Sequence, residues 1–118
     1  MSTCNNLKSL LDSLVDQTKV WGNAIEEGES KLANKKDSEA INTMDSIRLF
    51  GDKGQEELLE LIEHEHRGVQ FWAASYSMRY DLEKSLEVLK RLSEEEGAIA
   101  LSATLMLKLY SLGELNIP

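Results

Sequence analysis

The sequence predicts an all-α fold of about six helices packed as antiparallel pairs within one domain, residues 1–118. Three observations carry this. The only proline is Pro118, so no helix-breaker interrupts the chain. Hydrophobic residues make up 42 % of the chain, only seven residues are glycine, and β-branched runs are few. That balance favours packed helices over strands or disorder. Finally, Val69, Trp72, Ala73, Tyr76 and Tyr80 recur at i, i+3, i+4, i+7 and i+11 and so share one helix face. The small pair Ala73-Ala74 beside them lets a neighbouring backbone come close. A chain of this length buries roughly two-thirds of its unfolded surface, enough for one core without staples.

The first helix is expected over about residues 6–27, with Leu7, Leu11, Leu14, Thr18, Trp21 and Ile25 facing inward and Gly28 as terminator. Residues 1–5 are expected to fray. A second helix over about 30–50 turns Ala33, Ala40, Met44 and Ile47 inward, and its polar middle, residues 34–39, marks an exposed face or a break. Gly51-Asp52-Lys53-Gly54 reads as a loop. A short third helix, about 55–65, buries some combination of Leu58, Leu59, Leu61 and Ile62, and His66-Arg67-Gly68 reads as the next turn. The fourth helix covers about 69–80. Asp81 then suits the N-cap of a fifth, about 82–95, which buries Leu82, Leu86, Leu89 and Leu92. The sixth, about 98–112, is apolar on nearly all sides, the mark of a central helix or of one that meets a partner. Gly113 ends it.

Charge and composition narrow the function classes. Thirteen basic against 21 acidic residues give a net charge of −8, which disfavours nucleic acid and anionic membranes as partners and suits a basic protein. Arg67, Arg79, Lys90 and Arg91 stand among acids and form no basic patch. Cys4 is the only cysteine, so no internal disulfide forms. The first six residues show no basic segment followed by an apolar run, so no secretion signal is expected. No apolar run approaches the ~18 residues that span a bilayer. The expected location is the cytoplasm.

Only two histidines, His64 and His66, are present, within Glu63-His64-Glu65-His66. A helical zinc motif needs histidines at i and i+4, whereas these are two apart and point to different sides. No phosphate loop, nucleophile elbow or Cys-x-x-Cys occurs. No metal, no cofactor and no catalytic residue are therefore expected.

Two acidic clusters and one aromatic pair are the candidate partner-binding features. Residues 52–65 hold six carboxylates against Lys53 alone, a net of −5. Within them Glu56, Glu60 and Glu63, or alternatively Glu57, Glu60 and His64, share a helix face. Like charges at this spacing destabilise a helix by a few tenths of a kcal/mol, so tolerating them suits an acidic binding face. Glu94 and Glu95, in the run Glu94-Glu95-Glu96, fall at a helix C-terminus where negative charge is unfavourable. Phe71 and Trp72 are consecutive, so both cannot face one core, and a half-exposed aromatic is a typical interface anchor.

From Val69 onward a helix recurs every 15 or so residues. Two helices per unit give a period of about 30–40 residues, in the range of armadillo and HEAT repeats, which generally grip other macromolecules. The segment Val69-Gln70-x-x-Ala73-Ala74-x-x-x-Met78 resembles the HEAT pattern, departing from it with Gln70 where arginine is usual and His66 where aspartate often stands. Over residues 5–118 the chain resembles a small bacterial family of HEAT- or armadillo-like helices catalogued as a domain of unknown function. The matching features are Asn34-Lys35, Leu58-Leu59-x-Leu61 with His64, Val69…Ala73-Ala74, Ser85-Leu86-x-x-Leu89, and Gly97…Ala103…Leu107…Gly113-x-Leu115. The resemblance implies a role like that of immunity proteins encoded beside bacterial toxins. On this expectation the chain is not an enzyme and occludes the active site of a basic toxin domain. The alternative expectation is a cytosolic adaptor with no toxin partner. The sequence leaves the oligomeric state open.

Overall fold

Among the described residues six α-helices follow one another: α1 (Thr3–Glu26), α2 (Ser30–Arg48), α3 (Asp52–Glu60), α4 (Arg67–Tyr76), α5 (Leu82–Ser93) and α6 (Ala98–Ser111). A single 3-10 turn, Leu61–Glu63, links α3 to α4. The computed structural model describes the backbone from residue 3 to 118 and side chains from residue 6 onward. Among the described residues there is no strand, and the fold is all-α. Of the segment expected to fray, residues 1 and 2 and the side chain of Cys4 lie outside the described part, and helix is present from Thr3.

The ends follow local chemistry. Gly28 takes a φ of +76°, and the Glu29 N–H reaches back to the Ala24 carbonyl at 2.8 Å, the glycine-closed turn that satisfies a helix's last carbonyls. Gly113 closes α6 in the same way, with the Glu114 N–H on the Leu109 carbonyl. Asp81 caps α5 as expected, its Oδ1 accepting the Lys84 N–H at 3.1 Å. The polar middle of α2 does not break. It stays helical with Lys36 paired to Glu39 at 3.1 Å.

Two segments read as turns are helix instead. α3 starts at Asp52, so most of the expected Gly51–Gly54 loop is its first turn, and Gly54 is buried. A Cβ on Gly54 would come within 2.3 Å of the Ile47 carbonyl oxygen, so this glycine permits close packing on α2 rather than a bend. α4 likewise starts at Arg67, taking in Gly68, and ends at Tyr76 instead of residue 80. Val69, Trp72 and Ala73 turn inward as predicted, Tyr76 is half-buried, and Tyr80 lies beyond the helix and is exposed.

α1 is the central element and packs against α2, α3, α4 and α6. α2 doubles back along it after a three-residue link, tied by the Thr43 hydroxyl donating to Gln17 Oε1 at 2.8 Å. The radius of gyration is 13.7 Å, close to the ~13.5 Å of a compact domain of this length, so the helices gather round α1. Leu14, Met44, Ile47, Leu58 and Leu89 are fully buried, each contributing about 2 kcal/mol of transfer free energy.

α1 and α4 approach closely at Gly22 and Gly68. A Cβ on Gly68 would meet the Thr18 carbonyl oxygen at 2.5 Å and Gly22 Cα at 3.2 Å. Ala73 and Ala74 are buried, but the tight crossing is made by the glycines one turn earlier. Past the crossing, Trp21 of α1 stacks on Phe71 at 5.4 Å and meets Trp72 edge-on at 5.6 Å, and Trp72 stacks on Tyr76. Such pairings favour one relative rotation of the two helices.

α6 is neither wholly core nor wholly surface. Ile99, Ala100 and Ala103 are buried, while Leu101, Leu105 and Leu112 are 72 %, 58 % and 59 % exposed. With Thr104 and Lys108 they form one outward stripe. Beyond α6, Leu115 and Ile117 pack on the core, and Arg79 donates twice to the Ile117 carbonyl, at 3.1 and 2.7 Å.

Candidate protein-interaction surface

The start of α4 gathers the two acidic segments. After the 3-10 turn the His66 N–H donates to His64 Nδ1 at 3.0 Å. His66 is in turn the N-cap of α4, its Nδ1 accepting the Gly68 N–H at 2.9 Å. An accepting Nδ1 leaves the proton on Nε2, which faces Asn23 Oδ1 at 3.1 Å. The neutral ring thus spans α4 and α1 beside the glycine crossing. Gln70 links the other elements: its Nε2 donates to the His64 carbonyl and its Oε1 accepts from Arg91 of α5 at 3.1 Å. Arg67 donates to the Glu26 carboxylate at 2.9 Å and to the Glu96 carbonyl at 3.2 Å.

Through these bonds the end of the α3 segment and the end of α5 with the α5–α6 link are each held against α4. Glu63 and Glu65 lie on one side and Glu94, Glu95 and Glu96 on the other, all exposed. Arg67 is neutralised by Glu26, and the five exposed glutamates outnumber the remaining nearby cations, Arg91 and Lys19, so the net charge of the rim is negative. Glu56 and Glu60 are exposed on α3 and continue the rim along that helix, while Glu57 is taken by Lys53 at 2.8 Å. His64 is half-buried, and its ring holds the turn.

The aromatic pair divides unequally. Phe71 is half-buried against Trp21. Trp72 is only 5 % exposed. Packed between Trp21 and Tyr76, it leaves only a small part of its ring at the surface, in the wall of a small cavity, and so offers little area as an anchor on a flat interface. Of the residues that build the junction, Gly22, Glu26 and Asn23 were not singled out in the sequence, and Gly68 was read as part of a turn. A glycine inside an otherwise good helix pattern is the one signal that marks such a crossing.

The chain matches no family model, no curated protein and no solved structure significantly. Its function is therefore argued from its own geometry. Among the described residues no group of three or more His, Cys, Asp or Glu is placed to hold a metal ion, and no helix is long and apolar enough to cross a membrane.

Burial, then the charges of His64, Lys19 and Arg67, hold the His66 pKa below its ordinary 6.5. Protonation would also turn Nδ1 into a donor facing the Gly68 N–H and put positive charge at a helix N-terminus. The unfolded chain therefore binds this proton more readily than the folded one. Stability is unaffected above about pH 6.5, falls as pH drops below it, and levels off once the folded ring protonates. Urea midpoints measured from pH 7.5 to pH 5.5 should decline over this window. His66→Asn, which caps without titrating, should flatten the decline. An equal slope in the variant would remove His66 as its source.

Proposed function

We propose that this chain is a non-catalytic protein-binding domain that neutralises a cognate bacterial toxin by covering its active site. The observation that carries this reading is the acidic rim. Two acidic segments distant in sequence are each held to α4 through Gln70 and Arg67, with five glutamates facing outward around that helix. Such a surface complements a basic groove, for example the nucleic-acid site of a toxin nuclease, and speeds encounter by electrostatic steering. Glu56 and Glu60 lengthen the acidic face, and half-buried Phe71 is the aromatic nearest to an anchor. The action is steric and electrostatic, in the cytoplasm, with no reaction assigned.

HEAT- or armadillo-like stacking belongs to this proposal. The α1–α2 hairpin and the α4–α5 hairpin, tied by the Arg91–Gln70 bond, support it, while the contact of α1 with α6 draws the units together. The exposed leucine stripe of α6 favours a second reading, a cytosolic adaptor that uses that face and has no toxin.

The test is survival. The C-terminal domain of the protein encoded beside this one is expressed with and without this chain, and colonies are counted. Killing by that domain alone, with growth restored by this chain, is the expected result. A harmless neighbour, or killing without rescue, would remove the immunity reading against that partner and favour the adaptor.

A further inference from the structure

A cavity of about 220 Å³ lies where α1, α2, α4 and α6 meet, away from the acidic rim. Four aromatic side chains line it: Trp21, Phe71, Trp72 and Tyr76. Asp37 of α2 is the acidic side chain in its wall, with Ile41, Ser75, Met106 of α6 and Pro118 completing the lining. Asp37 is half-buried and has no hydrogen-bond or ion-pair partner among the described residues. A carboxylate drawn partly out of water and left unpaired costs free energy that a cation would recover. Burial accordingly raises the Asp37 carboxyl pKa above its ordinary 3.8.

The aromatic walls act in the same sense. A ring face carries negative charge density and attracts a cation held within about 6 Å. This cluster already does so once: the Arg48 guanidinium sits 4.9 Å from the Tyr76 ring centroid. Arg48 is not part of the cavity wall, and Asp37 and Asp45 both act on the Tyr76 hydroxyl beside it, so the local balance is one cation against two carboxylates. The volume is below the 300–1,000 Å³ usual for drug-sized ligands but is adequate for a short alkyl chain with a charged head.

We propose that this cavity binds one alkylammonium group, its alkyl chain against the Trp21, Phe71, Trp72 and Tyr76 rings and its charged nitrogen at Asp37. The group has two sources of the same chemistry, a lysine side chain of a protein partner or a free small amine. The inference does not rest on the acidic rim, whose glutamates lie outside the cavity wall; Phe71 alone belongs to both readings.

Both tryptophans of the chain line the cavity, so intrinsic fluorescence reports its occupancy. Titration with n-butylammonium should give a saturable change with a Kd on the order of 1–10 mM, and neutral 1-pentanol should bind about fivefold or more weaker. Asp37→Asn should bring the amine down to the level of the alcohol. In the wild-type protein, the indole N–H signals of Trp21 and Trp72 should shift with the amine in a two-dimensional NMR spectrum, a result that needs no variant. Capped lysine binding better than 1,4-diaminobutane assigns the site to a partner's side chain, and the reverse order assigns it to a free amine. No saturable change, equal binding of the alcohol, unaltered affinity in a folded Asp37→Asn, or NMR shifts confined to other residues would each overturn the proposal.

Discussion

Gly68→Ala is expected to destabilise the protein by about 3 kcal/mol, lowering its melting temperature by about 10 °C. The added methyl would lie 2.5 Å from the Thr18 carbonyl oxygen and 3.2 Å from Gly22 Cα. Both are backbone atoms in the middle of a 24-residue helix, so neither yields by a rotamer change. The helices must separate by a few tenths of an ångström or more, and every contact further along the crossing is loosened. The Trp21–Phe71 and Trp21–Trp72 pairs lie one turn away and take the strain. Gly22→Ala should cost less, because two of its three nearest atoms are the ends of His66 and Ile99 side chains, at 3.1 and 3.3 Å. Chemical denaturation of both variants checks the order. A Gly68→Ala protein as stable as wild type would mean that this crossing is looser than described.

Glu26→Ala should cost about 2 kcal/mol, through a helix cap and an ion pair lost together. α6 begins at Ala98 behind Gly97, which has no side chain to cap it. Glu26 of α1 does so instead: its Oε1 accepts the Ala98 and Ile99 N–H groups, the latter at 3.1 Å. Its Oε2 holds Arg67 at 2.9 Å, and Arg67 in turn holds the Glu96 carbonyl. One carboxylate thus joins α1, α4 and α6. Glu26→Gln keeps an acceptor for the α6 N–H groups but sets an amide against Arg67, so it should cost about half as much. Alanine no worse than glutamine would argue against the cap. Gly97→Ala is disfavoured twice, by a φ of +105° and by a Cβ 2.6 Å from the Glu26 carboxylate.

Helix count and most inward faces were legible because they rest on local periodicity; in α5, Leu89 and Leu92 are buried as read, but Leu82 is exposed and Leu86 half-buried, with Ser85 and Val88 buried in their place. The stripe Leu7, Leu14, Trp21 and the stripe Ala33, Ala40, Met44, Ile47 are buried as read, and Asp81 caps as read. The glycines were not. Gly54 and Gly68 carry the same local signal as Gly28 and Gly113, yet two permit close packing and two end helices. Which role a glycine takes depends on whether another backbone lies against it, and that is a property of the assembled fold. α6 was ambiguous for a related reason. Its apolar residues exceed what one neighbouring face can cover, and periodicity cannot say which third stays outside. Of the candidate site, the glutamates were read as exposed and are exposed. That residues 63–65 and 94–96 flank the same helix was beyond the sequence, since Gln70 and Arg67 hold them to α4 through bonds to His64, Arg91 and Glu96.

The central claim is that this acidic rim meets a basic partner. The most direct measurement is the association rate between this chain and the domain encoded beside it that the proposal takes as its partner, for the wild type and for Glu63→Lys/Glu94→Lys/Glu95→Lys, at low and moderate salt. These three side chains are exposed, so the reversal leaves the core intact. The predicted result is association slowed by about tenfold or more, with the difference shrinking as salt rises and a smaller change in dissociation. Equal association rates at both salt concentrations would contradict the rim as the binding surface.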